Sequence, residues 1–256
     1  MQKRKSHGIG YVTGRWPLDP EKSTLFFIHG AGGSSLFWEE QIDDLTLRAN
    51  TLAIDLPGHG RSSGEGMVTV EDYAQAVANF IKNVRVPHPI LCGVSLGGAI
   101  VQQLLLGYQN LAKAGILIST GSKLKVAPLI FETIEKNFSG YVDMICKLAA
   151  SKKTDPSLVV PFKEDTARGK PEVTHGDFRA CNRFDVTEHL ASIEVPVLVV
   201  TAEDDKLTPP KFGEFLVESI KNASRVHIID AGHIAPIEKP KAVNQAIIDF
   251  LDQNGL

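Results

Sequence analysis

Cysteine is scarce in this 256-residue chain: Cys92, Cys146 and Cys181 are the three present, an odd number with no CxxC spacing. That excludes a disulfide-stapled scaffold and a cysteine zinc knuckle, and a reducing cytoplasm is the expected compartment. Long apolar runs are missing as well. No stretch approaches the roughly 18 uninterrupted apolar residues of a spanning helix, so no membrane partner is expected. Nor is there an excess of one charge. Twenty-seven Lys+Arg stand against 30 Asp+Glu, a formal charge of −3, and no long basic block argues for nucleic acid. Lys3-Arg4-Lys5 reads as a short basic tag, and the Ser6-His7-Gly8 that follows is not the apolar core of a secretory signal.

Apolar residues are ordinary in amount and ordered in pattern. Hydrophobic residues make up 43% of the chain, a globular composition. A chain of this length hides about 70–75% of its unfolded surface, enough for a large core. Short runs rich in Val, Ile and Leu recur at 25–29, 51–55, 90–94, 115–120, 195–201 and 225–231. They are nearly continuous rather than alternating, as parallel strands covered on both faces require. A further run, Ile9–Arg15, reads as an antiparallel edge strand. Between the runs lie helical stripes, such as Val70, Tyr73, Ala74, Val77, Phe80 and Ile81, and a closing stripe through Ala242, Ala246, Ile247 and Phe250. The class is α/β with a mostly parallel sheet.

One interval breaks the alternation. Residues 121–190 separate two strands that a simple crossover would join with far fewer. Val126, Ile130, Ile134, Phe138, Val142 and Ile145 give the first half a helical stripe. Pro156, Pro161 and Pro171 and a polar stretch interrupt the second half. The reading is a core of residues 1–120 and 191–256 carrying a helical cap, 121–190. With 11 basic and 10 acidic residues, the cap is nearly neutral. Its Phe131, Phe138, Tyr141 and Met144 read first as cap core.

The chemistry centres on Gly93-Val94-Ser95-Leu96-Gly97. The motif follows a strand and opens a helical stretch, so a sharp turn would lift the Ser95 hydroxyl clear of the sheet. Such a turn tolerates only small residues two positions either side. A hydroxyl nucleophile needs a base, and the base an orienting acid. Of eight histidines, His29 and His59 sit in Gly-rich turns and His227 in an apolar run. His233, in Ala231-Gly232-His233, follows the last strand at the end where a parallel sheet carries its functional loops. Glu203, Asp204 and Asp205 follow the preceding strand. Spacing alone does not choose between Asp204 and Asp205. Cys146, His175, Cys181 and His189 fit no familiar zinc spacing.

With these residues in hand, the chain resembles the α/β-hydrolases of the serine esterase, enol-lactonase and C–C hydrolase group. The likeness runs from about residue 24 to 250. It is carried by His29-Gly30-Ala31-Gly32-Gly33-Ser34, Asp55-Leu56-Pro57-Gly58-His59-Gly60-Arg61-Ser62, the Ser95 motif, Glu203-Asp204-Asp205-Lys206-Leu207-Thr208-Pro209, and Gly232-His233 with Glu238-Lys239-Pro240. Ala202 departs from a more usual glycine. The resemblance implies the α/β-hydrolase fold with an inserted helical cap. It implies Ser95, Asp205 and His233 as a catalytic triad, with the backbone N–H groups of Ala31 and Leu96 as the oxyanion hole. No metal or organic cofactor is required. The expected substrate is a small-molecule ester, or a lactone or C–C bond cleaved by the same triad. A slow-turnover ligand receptor retaining the triad is the rival from another class.

Overall fold

A computed structural model describes all 256 residues. Its strands are β1 (Gln2–Ser6), β2 (Ile9–Thr13), β3 (Thr24–Ile28), β4 (Asn50–Ile54), β5 (Pro89–Val94), β6 (Ala114–Ile118), β7 (Val197–Ala202) and β8 (Ala223–Ile228). They form one sheet in the order β1-β2-β4-β3-β5-β6-β7-β8. The β1–β2 and β2–β4 pairings are antiparallel and all others parallel. The helices are α1 (Glu39–Leu45), α2 (Val70–Val84), α3 (Leu96–Gly107), α4 (Pro128–Lys136), α5 (Phe138–Ala149), α6 (Pro156–Ala167), α7 (Pro171–Arg183), α8 (Pro210–Ser219), α9 (Ala235–Glu238) and α10 (Pro240–Asn254).

The continuous apolar runs are explained by burial on both faces. In β3, Phe26 and Ile28 join the core formed with Tyr73, Val77 and Ile100, while Leu25 and Phe27 join the opposite core with Trp38, Ile247 and Phe250. Successive side chains point to opposite faces of a strand, so each strand between two helical layers must be apolar throughout. The α2 stripe is buried as its spacing requires. Thr69 caps that helix by accepting from Asp72 N, and Arg85 ends it in the left-handed conformation at φ 56°.

Three expectations change. Lys3-Arg4-Lys5 is not a tag but the middle of β1, with Lys3 opposite Val12 and Lys5 opposite Gly10. Its side chains alternate toward solvent, which suits charged residues on an edge strand. Consequently β2 lies inside the sheet rather than at its edge. At the other edge β8 begins at Ala223 and ends at Ile228, before the expected 231, and the next residue, Ile229, is 65% exposed. The chain leaves the sheet there to carry the His233 loop.

Four helices, α4 to α7, lie between β6 and β7. The prolines expected to break the second half instead start its helices. Pro156 and Pro171 occupy the first turns of α6 and α7, where the missing N–H would have no partner anyway. Pro161 is accommodated inside α6. Ile130, Ile134, Tyr141, Val142 and Ile145 form the insertion's own small core.

Candidate active site

Ser95 stands between β5 and α3 at φ 55°, ψ −117°, a strained conformation for an L-residue. The surrounding backbone enforces it. A Cβ on Gly93 would lie 2.2 Å from the carbonyl of Gly97, and one on Gly97 would lie 2.2 Å from the Ile28 carbonyl oxygen. Sheet pairing continues to the turn itself, since Ser95 N donates to Ile118 O at 3.0 Å. The Ser95 carbonyl accepts from Ala99 N and Thr120 Oγ1. With its backbone so held, the hydroxyl is presented at the head of α3, where the helix dipole is positive.

Asp205 is buried beyond the end of β7 and receives four donors. Leu207 N and Thr208 N each donate to Oδ1 at 2.9 Å, Thr208 Oγ1 donates to Oδ2 at 2.8 Å, and His233 Nδ1 lies 3.0 Å from Oδ2. Burial works against ionisation, but the His233 ring and the Thr208 donors hold the carboxyl below its ordinary range. With Nδ1 committed to the carboxylate, the neutral imidazole keeps its lone pair on Nε2. Asp204, the alternative that spacing leaves open, turns away and accepts from Ser151 Oγ at 2.5 Å. The His233 loop is fixed from below: His233 N donates to Ala149 O, and buried Glu238 accepts from Gly232 N and Ser151 N at 2.8 Å.

The loop after β3 faces the same space. Gly33 N donates to Gly30 O at 3.2 Å, closing a four-residue turn with Gly32 at φ +67°. Ala31 has no positive φ, so the turn is type II. His29 Nδ1 donates a second bond to Gly30 O at 2.8 Å. A trans peptide points its N–H opposite to its C=O, so two donors on the Gly30 carbonyl aim the Ala31 N–H the other way. Ala31 N has no acceptor in the chain. Leu96 opens α3, and its N–H likewise has no intrahelical acceptor. Asp55 braces the loop by accepting from Ser35 N and Arg61 N.

Ser95, His233 and Ala31 line one cavity of about 320 Å³. Sixteen of its 23 lining residues are hydrophobic, which suits an apolar substrate body. The insertion roofs it with Leu124, Ile130, Ile145, Phe162 and Phe178. Phe131, Phe138, Tyr141 and Met144 do not line it; Tyr141 is buried in the insertion's core. No hydrogen bond joins Ser95 Oγ to His233, a looseness common in sites without substrate. The cysteines and histidines of the insertion do not converge on a metal site, and His175 instead meets Glu135 at 3.0 Å.

Sequence reasoning missed two buried acids that organise this region, Glu238 and Asp177. In the sequence Glu238 stands only as the first residue of Glu238-Lys239-Pro240, with no sign of its buried bonds. Asp177 lies on a polar-looking helix and meets His59, 118 positions away, at 2.8 Å. No periodicity or local motif signals a pair so distant in the chain.

A mostly parallel sheet, a hydroxyl on a strained strand-to-helix turn and a cavity roofed by an inserted helical layer define an enzyme of the hydrolase class. Residues 25–246 match the model of the alpha/beta hydrolase family, and the chain belongs to that family. It is 26% identical over 235 residues to 3-oxoadipate enol-lactonase 2 of Acinetobacter baylyi, covering 89% of this chain and 88% of that protein. It is 31% identical to a structure described as a thermophilic esterase, with a TM-score of 0.87 over 99% of this chain and 98% of the other. The enol-lactonase of Burkholderia xenovorans LB400 shares the fold at a TM-score of 0.87 and 20% identity, over 98% of this chain and all of its own.

Proposed function

We propose that this enzyme hydrolyses carboxylic esters of small molecules through an acyl-enzyme on Ser95. The observation that carries the reading is the Asp205–His233 pair, 3.0 Å apart, opening on the same apolar cavity as Ser95. His233 Nε2 takes the Ser95 proton as Oγ attacks the carbonyl carbon. The tetrahedral oxyanion is held by the N–H groups of Ala31 and Leu96, each such donor contributing about 3 kcal/mol. The alcohol leaves with the proton from His233. Water, deprotonated by the same ring, then attacks the acyl carbon and frees Ser95. Asp205 holds the ring's tautomer and stabilises the imidazolium, without itself taking the proton.

The lining supports a substrate class. Apart from His233 and the Cys181 thiol, whose ionisation burial opposes, its ionisable groups are Lys125 and Lys206, both cations, and no carboxylate faces the cavity. That favours an apolar acyl body that is uncharged or singly anionic. Lactone cleavage is the second reading, favoured by the match to a protein named as an enol-lactonase along most of both chains. Steady-state hydrolysis of p-nitrophenyl esters of increasing acyl length, in wild type and Ser95→Ala, tests the first reading. Fast turnover lost in the variant supports an esterase, and a single burst followed by silence favours a receptor. No Ser95-dependent release from any ester removes the esterase reading and moves the test to enol-lactones.

A further inference from the structure

Asp177 lies on α7, in the insertion, and is fully buried. Three donors converge on its carboxylate: Gly32 N at 2.8 Å and His59 Nε2 at 2.8 Å on Oδ2, and Tyr73 Oη at 2.5 Å on Oδ1. The other nitrogen of His59, Nδ1, lies 3.0 Å from the Pro57 carbonyl. A carbonyl and a carboxylate only accept, so both ring nitrogens must carry protons and His59 is an imidazolium. A buried cation is thereby matched to a buried anion, and the anion also accepts from one backbone N–H of the oxyanion loop and one phenol.

The packing around this pair is close. The α7 helix sits against the loop so tightly that a Cβ on Gly32 would meet the Thr174 side chain at 3.2 Å. A Cβ on Gly176 would meet the Met67 carbonyl oxygen at 2.8 Å, and one on Gly66 would meet Val173 at 2.7 Å. The Gly32 N–H belongs to the central peptide of the Gly30–Gly33 turn. Types I and II of such a turn differ by a flip of that peptide. An anion placed to receive the Gly32 N–H therefore selects the flip that is observed.

We propose that Asp177 is a positioning residue for oxyanion binding: by accepting from the Gly32 N–H it ties α7 to the turn that carries Ala31 and fixes where that turn sits beside Ser95. The inference rests on the oxyanion role given to Ala31 under the proposed function. Asp177 touches no reacting atom; it acts through the turn. With the Asp177 carboxylate in place the central peptide is held as observed and the turn keeps its seat against α7; without that acceptor the turn that carries Ala31 loses its anchor.

The test compares wild type, Asp177→Asn, Gly176→Ala and Ser95→Ala. Asparagine brings two donors to a site where three already converge. Gly176→Ala removes no polar group and sets a Cβ 2.8 Å from the Met67 carbonyl oxygen, so the seat of α7 against that backbone must give. Each is assayed for kcat and KM on p-nitrophenyl butyrate and for the affinity of n-butylboronic acid, whose adduct on Ser95 is a tetrahedral anion. Thermal melting establishes that each is folded. For Asp177→Asn we expect kcat to fall at least about tenfold with KM within about twofold, and boronate affinity to fall with kcat. Gly176→Ala should show the same pattern at smaller size, and it decides the matter if the asparagine variant does not fold. A folded variant with lowered melting temperature but unchanged kcat and boronate affinity assigns Asp177 to stability alone and overturns the proposal. If Ser95→Ala is as active as wild type, it is the oxyanion reading itself that fails.

Discussion

The rings of His29 and His59 stand 4.9 Å apart, centroid to centroid, and carry different protonation states. His29 donates from Nδ1 to Gly30 O and accepts at Nε2 from Leu56 N, which only the neutral ring can do. His59 donates from both nitrogens and is charged. Burial, followed by the neighbouring His59 cation, pushes His29 down to about 4. The Asp177 carboxylate, against the opposing effect of burial, holds His59 above its ordinary value. One ring aims the Gly30–Ala31 peptide, and the other anchors the acid that holds the next one.

The sign of the resulting pH dependence differs between the two. His29 binds its proton more weakly folded than unfolded, so its contribution to stability is present above about 6.5 and is lost as pH falls toward about 4. Complete loss corresponds to about 3 kcal/mol. His59 works in the opposite direction, contributing fully below its unfolded value and losing that contribution as pH rises through its folded value. Nitrogen-15 NMR of the side chains at about pH 5.5, above the His29 value and below that of His59, should show one protonated nitrogen for His29 and two for His59. A single protonated nitrogen on His59 would contradict the assignment.

Ser95→Ala should lower kcat/KM by about four orders of magnitude or more while leaving the fold intact. Ser95→Gly should be equally inactive yet more stable than Ser95→Ala by about 1 kcal/mol, because φ 55°, ψ −117° is disfavoured for alanine and open to glycine. Urea unfolding of the two variants measures the difference.

The two adjacent aspartates should separate cleanly. Asp205→Asn leaves the His233 ring without its acceptor and should lower kcat by about 10⁴. Asp204→Asn, which weakens a part-buried bond to Ser151 Oγ and leaves the His233 ring untouched, should stay within about tenfold of wild type. Equal losses in the two would remove the special role of Asp205.

Gly97→Ala should cost about 3 kcal/mol or more, since its Cβ would lie 2.2 Å from the Ile28 carbonyl oxygen and neither backbone is free to move. Gly107→Ala, whose Cβ would meet only the far end of the Gln103 side chain at 3.9 Å, should be tolerated. Denaturation midpoints of the two variants check the contrast.

Much of the sheet was legible because its strands are buried on both faces and have to be apolar without interruption. The strand that escaped notice, β1, is a solvent-facing edge whose charges carry no such signature. The insertion's prolines misled for a related reason. The same residue ends a helix when it stands inside and starts one when it stands first, and position within the element is not known until the element exists. Asp205 and Asp204 are chemically identical neighbours, and only the loop's path turns one toward His233 and the other toward Ser151.

The division follows the range of the forces involved. Turn geometry, helix starts and the covering of apolar faces act over a few residues, so the sharp turn at Ser95, the α/β class and the loop that bears His233 were written in local sequence. Charge pairing and close approach act between residues brought together by folding. The protonation of His29 and His59, the grip of Asp177 on Gly32 from 145 positions away, and the residues that wall the cavity existed nowhere until the insertion settled on the sheet.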